Sequence, residues 1–261
     1  MKSKRILVIS DTHCGHLVGL TPPDFNPQFG KKTPQQQHHE EREIYWKWFA
    51  KEVDALRPFD ALIFNGDAID GKGDKSGGTE QLTTDRNQQC DMAIQVIEHI
   101  KAKDVFMSFG TAYHSGASED FEEQIANAVA ARKIGAHDWL NVNGLVIDYK
   151  HHVGGSQSPV GRATPLSREH LWSILWAEHG EYSRAKILIR SHTHAHVYTG
   201  GYGWLAMVTP ALQGYGSKFG ARRISGTVDF GFVHFDIEDK ENWSWQAHIL
   251  KQKSHQVPAR L

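Results

Sequence analysis

Short apolar runs that stop abruptly at an acidic or imidazole-bearing turn constrain this chain more than any other feature. The clearest is Ala61 to Phe64, followed at once by the turn residues Asn65-Gly66 and then by Asp67. Four further runs share this build. Lys4 to Ser10 leads into Asp11-Thr12-His13, and Val105 to Phe109 into Gly110-Thr111-Ala112-Tyr113-His114. Leu145 to Tyr149 leads into Lys150-His151-His152, and Ala185 to Ile189 into Arg190-Ser191-His192-Thr193-His194. Such runs predict buried strands of an α/β sheet. In such sheets the loops after the strand ends form the functional crevice. An aspartate there costs desolvation energy unless positive charge sits against it.

Helical periods separate the runs. Glu40 to Leu56 predicts a helix with Ile44, Trp48, Val53 and Leu56 inward, and Arg57-Pro58 ends it. Glu80 to Lys101 contains a helix with Met92, Val96, Ile97 and Ile100 in its stripe. Ser118 to Arg132 predicts a helix capped by Ser118, with acidic residues in its first turn. Ser167 to Glu178 predicts one with Leu171, Ile174 and Leu175 inward. Trp204 to Thr209, Val228 to Ile237 and Trp243 to Leu250 predict strands with no helix between them, hence antiparallel pairing. Residues 19–39 are Pro- and Gln-rich and read as an irregular insertion, either a solvated loop or a flap over the site. Gly71 to Gly78 reads as a solvated loop that lacks P-loop spacing. With no repeat and no linker, residues 1–261 are expected to form one domain.

Composition removes several function classes. A formal net charge of −1 argues against bulk electrostatic binding to nucleic acid. No apolar run approaches the roughly 18 residues of a membrane span. Ile6 to Ile9 is too short for a signal-peptide core, and the two cysteines, Cys14 and Cys90, form no disulfide framework, so a cytoplasmic location is expected. The informative excess is histidine, with 17 residues, the commonest metal ligand and a general acid or base.

Any one of the five turns has a bland explanation as a hydrogen-bonded surface loop. Five in sequence order point to one pocket. Mixed carboxylate and imidazole donors suit Mn, Fe, Co, Ni or Zn rather than Ca or Mg. The donors are too many for one structural zinc and about right for two adjacent ions, with Asp67 bridging them.

The order Asp-x-His, Gly-Asp, a Gly/His turn, His, then His-x-His resembles the calcineurin-like metallophosphoesterases, from about residue 5 to 210. The resemblance implies a four-layer α/β/β/α sandwich of two mixed sheets flanked by helices. It implies that Asp11, His13 and His194 hold one metal, that Asp67 bridges, and that His151 and His192 hold the second. Manganese is the expected ion. Asn65 and Asp70 could orient ligands or water, or serve as turn residues, and His152 could touch substrate.

Two departures stand out. The family's Gly-Asn-His-Asp/Glu turn is here Gly-Thr-Ala-Tyr-His, so the Asn ligand of the second metal is missing. His114 either replaces it or keeps the family histidine's place beside the leaving group; the catalytic role is the one expected. Ser191 stands where the family usually has Gly before the first His of the last motif. The variant turn is similar to that of phosphoesterases encoded by phage and prophage.

The implied reaction is hydrolysis of a phosphodiester by a hydroxide bridging the ions, with His114 donating to the leaving alkoxide. Two divalent ions, two aspartates and one hydroxide leave the centre near +1, which a diester's single charge would neutralise. A phosphomonoesterase or protein phosphatase with the same site is the alternative, as is a nuclease acting on DNA or RNA. A binding module without catalysis is a further one.

Overall fold

Alternate residues of the first strand face two different apolar layers, and this sets the architecture. In β1 (Lys4–Ile9), Leu7 and Ile9 pack toward helices while Ile6 and Val8 face a second sheet. The computed structural model describes residues 2–27, 36, 38–74, 76–115, 120–156, 158–215 and 227–251. β1 lies within a six-stranded sheet with β2 (Ala61–Asn65), β3 (Asp104–Ser108), β4 (Lys133–Gly135), β10 (Gly231–Ile237) and β11 (Trp243–Ile249). Its order is β11-β10-β1-β2-β3-β4; β1 to β4 run parallel, and β10 and β11 add antiparallel.

The second sheet takes β5 (Asp138–Val142), β6 (Leu145–Tyr149), β7 (Ile187–Arg190), β8 (Val197–Gly201) and β9 (Trp204–Val208) in the order β5-β6-β7-β9-β8. Here β6, β7 and β9 are parallel, with antiparallel strands at both edges. Between the sheets Ile6, Val8 and Ile63 meet Ile147, Ile187 and Met207. On the outside, α1 (His39–Leu56), α2 (Arg86–Ile100) and α4 (Phe121–Ala128) cover the first sheet through Phe49, Val96 and Ile125. The one-turn α3 (Ala112–Ser115) follows β3, and α5 (Thr164–Glu178) covers the second sheet through Leu166. The result is the expected α/β/β/α sandwich.

Several local expectations need correction. α1 buries Arg42, Tyr45, Phe49 and Val53, while Ile44 is 49% exposed, so the inward stripe is rotated from the one read in sequence. Arg42 is tolerated inside because its guanidinium donates to Leu17 O and Asn26 Oδ1, each at 2.8 Å. Those bonds pin the start of the 19–39 insertion; residues 28–35 and 37, on which a flap would depend, lie outside the described residues. Similarly, Gly71, at the start of the 71–78 loop, is buried and bonded to Gln89. α4 begins at Phe121 with Asp120 as its cap, and Ser118 is outside the described residues. In α5, Leu171 and Leu175 face solvent rather than the sheet. β10 and β11 pair antiparallel as expected, but β9 joins the other sheet, antiparallel to β8 and parallel to β7.

Candidate metal centre

The turns after β1, β2, β3, β6 and β7 all open at one end of the two sheets. Those after β1 and β2 stay laced beyond the strands: Asp11 N donates to Gly66 O at 3.0 Å and His13 N to Asp67 O at 3.1 Å. The chain must bend sharply to aim the side chains inward. Asp11, His13, Asp67, His192 and His194 all have positive φ, between 41° and 75°. Among the described residues only Lys101, Ala130 and Asn143 share this conformation without being glycine. Left-handed backbone costs a β-carbon-bearing residue about 1–2 kcal/mol, so strain is concentrated at this site.

Two donor groups result. Asp11, His13 and His194 form one, and Asp67, His151 and His192 the other; a third set, His13, Asp70 and His114, overlaps the first at His13. In the first, His13 Nε2 is 3.2 Å from His194 Nε2, which is 3.3 Å from Asp11 Oδ1. In the second, His151 Nε2 is 3.0 Å from Asp67 Oδ2. Asp67 Oδ2 also lies 3.9 Å from His13 Nε2, so it faces donors of both groups.

The supporting contacts fix which ring nitrogen faces the pocket. His13 Nδ1 donates to Asp70 Oδ1 at 2.9 Å, and His151 Nδ1 donates to Asn65 O at 2.8 Å. Since those oxygens only accept, each ring turns its Nε2 toward the pocket. Against burial, Asp67 and then Asp11 push His151 up to about 10, so its Nε2 carries a proton that a bound cation would displace. Asn65 is fully buried and ties four strand ends together: its amide donates to Lys150 O and Ser191 Oγ, and Ser108 Oγ donates to its Oδ1. Its surroundings leave no surface for substrate. Ser191 Oγ also bonds Thr209 at 2.7 Å, a contact that glycine at this turn could not make.

His114 stands beside the first group, not the second. Its Nδ1 donates to Asp70 O at 2.9 Å, and its ring meets that of His13 edge-on at 4.6 Å. His152 is exposed, with its ring 4.7 Å from that of His192. Two residues escaped the sequence reading. Glu122 is fully buried and accepts from Ala68 N at 2.9 Å and Gly110 N at 2.5 Å, clamping the turns that carry Asp67 and Thr111. Thr111 N donates to Asp67 Oδ1 at 2.6 Å.

The electrostatics follow from this crowding. Burial alone would raise the Asp11 carboxyl, yet His151 and His194 hold it down to about 2. Asp67 is likewise held well below the carboxylate range, against burial, chiefly by His151. Burial and then His114 lower His13, which keeps its ring neutral. Burial and the Asp67 charge push the Glu122 carboxyl up to about 7.

The residues fit a pair of divalent cations. Asp11 Oδ1 is buried with no donor aligned on it, although three imidazole Nε2 atoms lie within 4.0 Å. The 3.2 Å between the His13 and His194 nitrogens matches two ligands on one ion, since bonds of about 2.1 Å at right or tetrahedral angles set them about 3.0–3.4 Å apart.

Fold and site together define a class: an α/β/β/α sandwich of two sheets with carboxylates and imidazoles gathered at its strand ends. Among solved structures, the chain is similar to Vps29 from Entamoeba histolytica complexed with zinc, at 13% identity and a TM-score of 0.48, covering 96% of this chain and 94% of that one. It is also similar to an archaeal phosphodiesterase, at 12% identity and a TM-score of 0.45, covering 94% of this chain and 99% of that one. A predicted phosphoesterase from Streptococcus pneumoniae gives 11% identity and a TM-score of 0.40, covering 95% and 99%. No family model matches the chain, and no curated protein does. Among the described residues, no helix is long and apolar enough to cross a membrane.

Proposed function

We propose that this pocket is a two-metal centre that hydrolyses phosphoesters, diesters in preference to monoesters. The observation that carries the reading is Asp67 Oδ2, which faces His151 Nε2 at 3.0 Å and His13 Nε2 at 3.9 Å and so joins two donor groups. Asp11, His13 and His194 would hold one ion, His151 and His192 the other, with Asp67 between. Mixed oxygen and imidazole donors without thiolate suit manganese. When bound, the ions would polarise a phosphoryl oxygen and make water acidic enough to serve as nucleophile near neutral pH.

The remaining chemistry belongs to side chains. His114 is held through Nδ1 by the Asp70 carbonyl, which leaves Nε2 to deliver a proton to the departing alkoxide. Asp70 and Asn65 keep His13 and His151 turned toward the pocket. Asp11 and Asp67 are the two negative charges of the donor set, so two divalent ions with one hydroxide leave about +1, the complement of a diester. The exposed His152, whose ring lies 4.7 Å from that of His192, would meet substrate. Two buried free thiols, Cys14 and Cys90, agree with a reducing, cytoplasmic setting.

The test is turnover of bis(4-nitrophenyl) phosphate and 4-nitrophenyl phosphate by chelator-stripped protein, each crossed with a panel of divalent metals. Metal-dependent cleavage with the diester faster is expected. A faster monoester rate would reverse the substrate preference, and no cleavage of either with any metal would remove the enzymatic reading.

A further inference from the structure

We propose that the Thr111 hydroxyl is the fourth protein donor of the second ion, standing in for the missing Asn; this rests on the two-metal reading above. Thr111 Oγ1 lies 3.2 Å from Asp67 Oδ2, 3.2 Å from His192 Nδ1 and 3.5 Å from His151 Nε2. Those three residues make up the second group, and Thr111 Oγ1 faces one atom of each. Thr111 Oγ1 therefore sits within reach of all three at once.

A hydroxyl carries one proton and can donate to only one of these neighbours. Asp67 Oδ2 only accepts, and His151, whose Nδ1 is committed to Asn65 O, would present an Nε2 lone pair once a bound cation displaces its proton. Several electron-rich atoms facing a single centre are what a cation satisfies. Gly110-Thr111 occupies the place of the family's Gly-Asn, directly after β3, so the hydroxyl comes from the position where an amide oxygen is expected. The exchange is charge-neutral: one uncharged oxygen replaces another. Threonine hydroxyls serve this purpose on Mg²⁺ in phosphate-binding loops. An alcohol is a hard donor, so the second site would favour Mn²⁺ over Zn²⁺ and hold its ion more loosely than the first.

Thr111→Val tests this cleanly, since it keeps the branched shape and the backbone N–H on Asp67 and removes only the hydroxyl. Thr111→Ser keeps the hydroxyl, and Thr111→Ala provides a second hydroxyl-free variant should valine misfold. Mn²⁺ binding to chelator-stripped protein would be counted by calorimetry and by electron paramagnetic resonance, with circular dichroism confirming the fold. Wild type is expected to take two ions. Thr111→Val and Thr111→Ala should bind the first normally and the second about ten- to a hundredfold more weakly, with Thr111→Ser within about threefold of wild type. Undiminished second-ion affinity in the folded valine or alanine variant would overturn the assignment while leaving the two-metal reading intact. A second ion lost equally in Thr111→Ser would also overturn it. Wild type binding fewer than two ions would defeat the two-metal reading itself, and this inference with it.

Discussion

Asp70 Oδ1 lies 2.9 Å from His13 Nδ1 and decides which nitrogen of that ring faces the pocket. Asp70 is itself buried and held below the usual carboxylate range; burial opposes this, and His16 and then His13 outweigh it. Gln81 donates to its other oxygen. Removing Asp70 would free the His13 ring to rotate and also remove a charge beside His114.

Asp70→Ala should therefore fold and lose about ten- to a hundredfold in affinity for the first ion. Calorimetric titration of chelator-stripped protein with Mn²⁺ reads this directly; unchanged affinity would show that the ring is held by packing alone.

Asp67→Asn should keep the fold, because asparagine accepts the left-handed backbone that Asp67 adopts at φ 52°. It removes the shared charge, so turnover of an activated diester should fall by roughly a hundredfold or more, about 3 kcal/mol of barrier. Steady-state rates at saturating metal, beside bound metal by elemental analysis, check both halves.

Glu122→Gln should destabilise the protein by about 1–3 kcal/mol. The carboxylate takes two backbone N–H groups on two oxygens, whereas the amide would aim its own N–H at one of them. Urea unfolding of the metal-free protein is the measurement.

Asp148 and Arg190 give a pH signature away from the proposed ligands. They form a buried pair at 2.6 Å, and Glu169 meets the same guanidinium at 3.0 Å. Burial would raise the Asp148 carboxyl, but Arg190 and His137 hold it below its usual range. A depressed folded-state value means its stabilisation is complete above the ordinary value near 4 and fades as pH falls through the depressed one. Stability measured by urea should thus decline on acidification below about pH 4. Arg190→Met should cost about 3–5 kcal/mol at neutral pH and make that decline shallower, since Asp148 would keep only His137 while Asp11, Asp67 and Asp70 still contribute.

The strand ends were readable in sequence because a parallel strand buried on both faces is a continuous apolar run, and the polar turn after it is abrupt. β2 is the clearest case, buried from Ala61 to Asn65. Two of the edge strands were not readable: β4 is three residues long, and β8, Val197–Gly201, ends in two glycines with most of its residues toward solvent. Periodicity marks a helix but not which stripe turns inward, hence the errors at Ile44, Leu171 and Leu175. Glu122 was hidden for another reason. An acid in the first turn of a helix already has an explanation in the helix dipole, so nothing in sequence separates a solvent-facing Glu123 from the buried Glu122 clamping two loops. Thr111 was hidden because hydroxyl donors are too common to mark a site unless their neighbours are known.

The left-handed backbone at Asp11, His13, Asp67, His192 and His194 sets robustness against chemistry in this chain. Glycine at any of these positions would relax the main chain, and each such relaxation deletes a side chain that the pocket uses. Engineering that ranks variants by melting temperature in chelator would be drawn to these five positions first and would dismantle the pocket as it went. Heat tolerance is better sought on the outward face of α5, where Leu171 and Leu175 meet solvent and a polar replacement leaves the strand ends untouched.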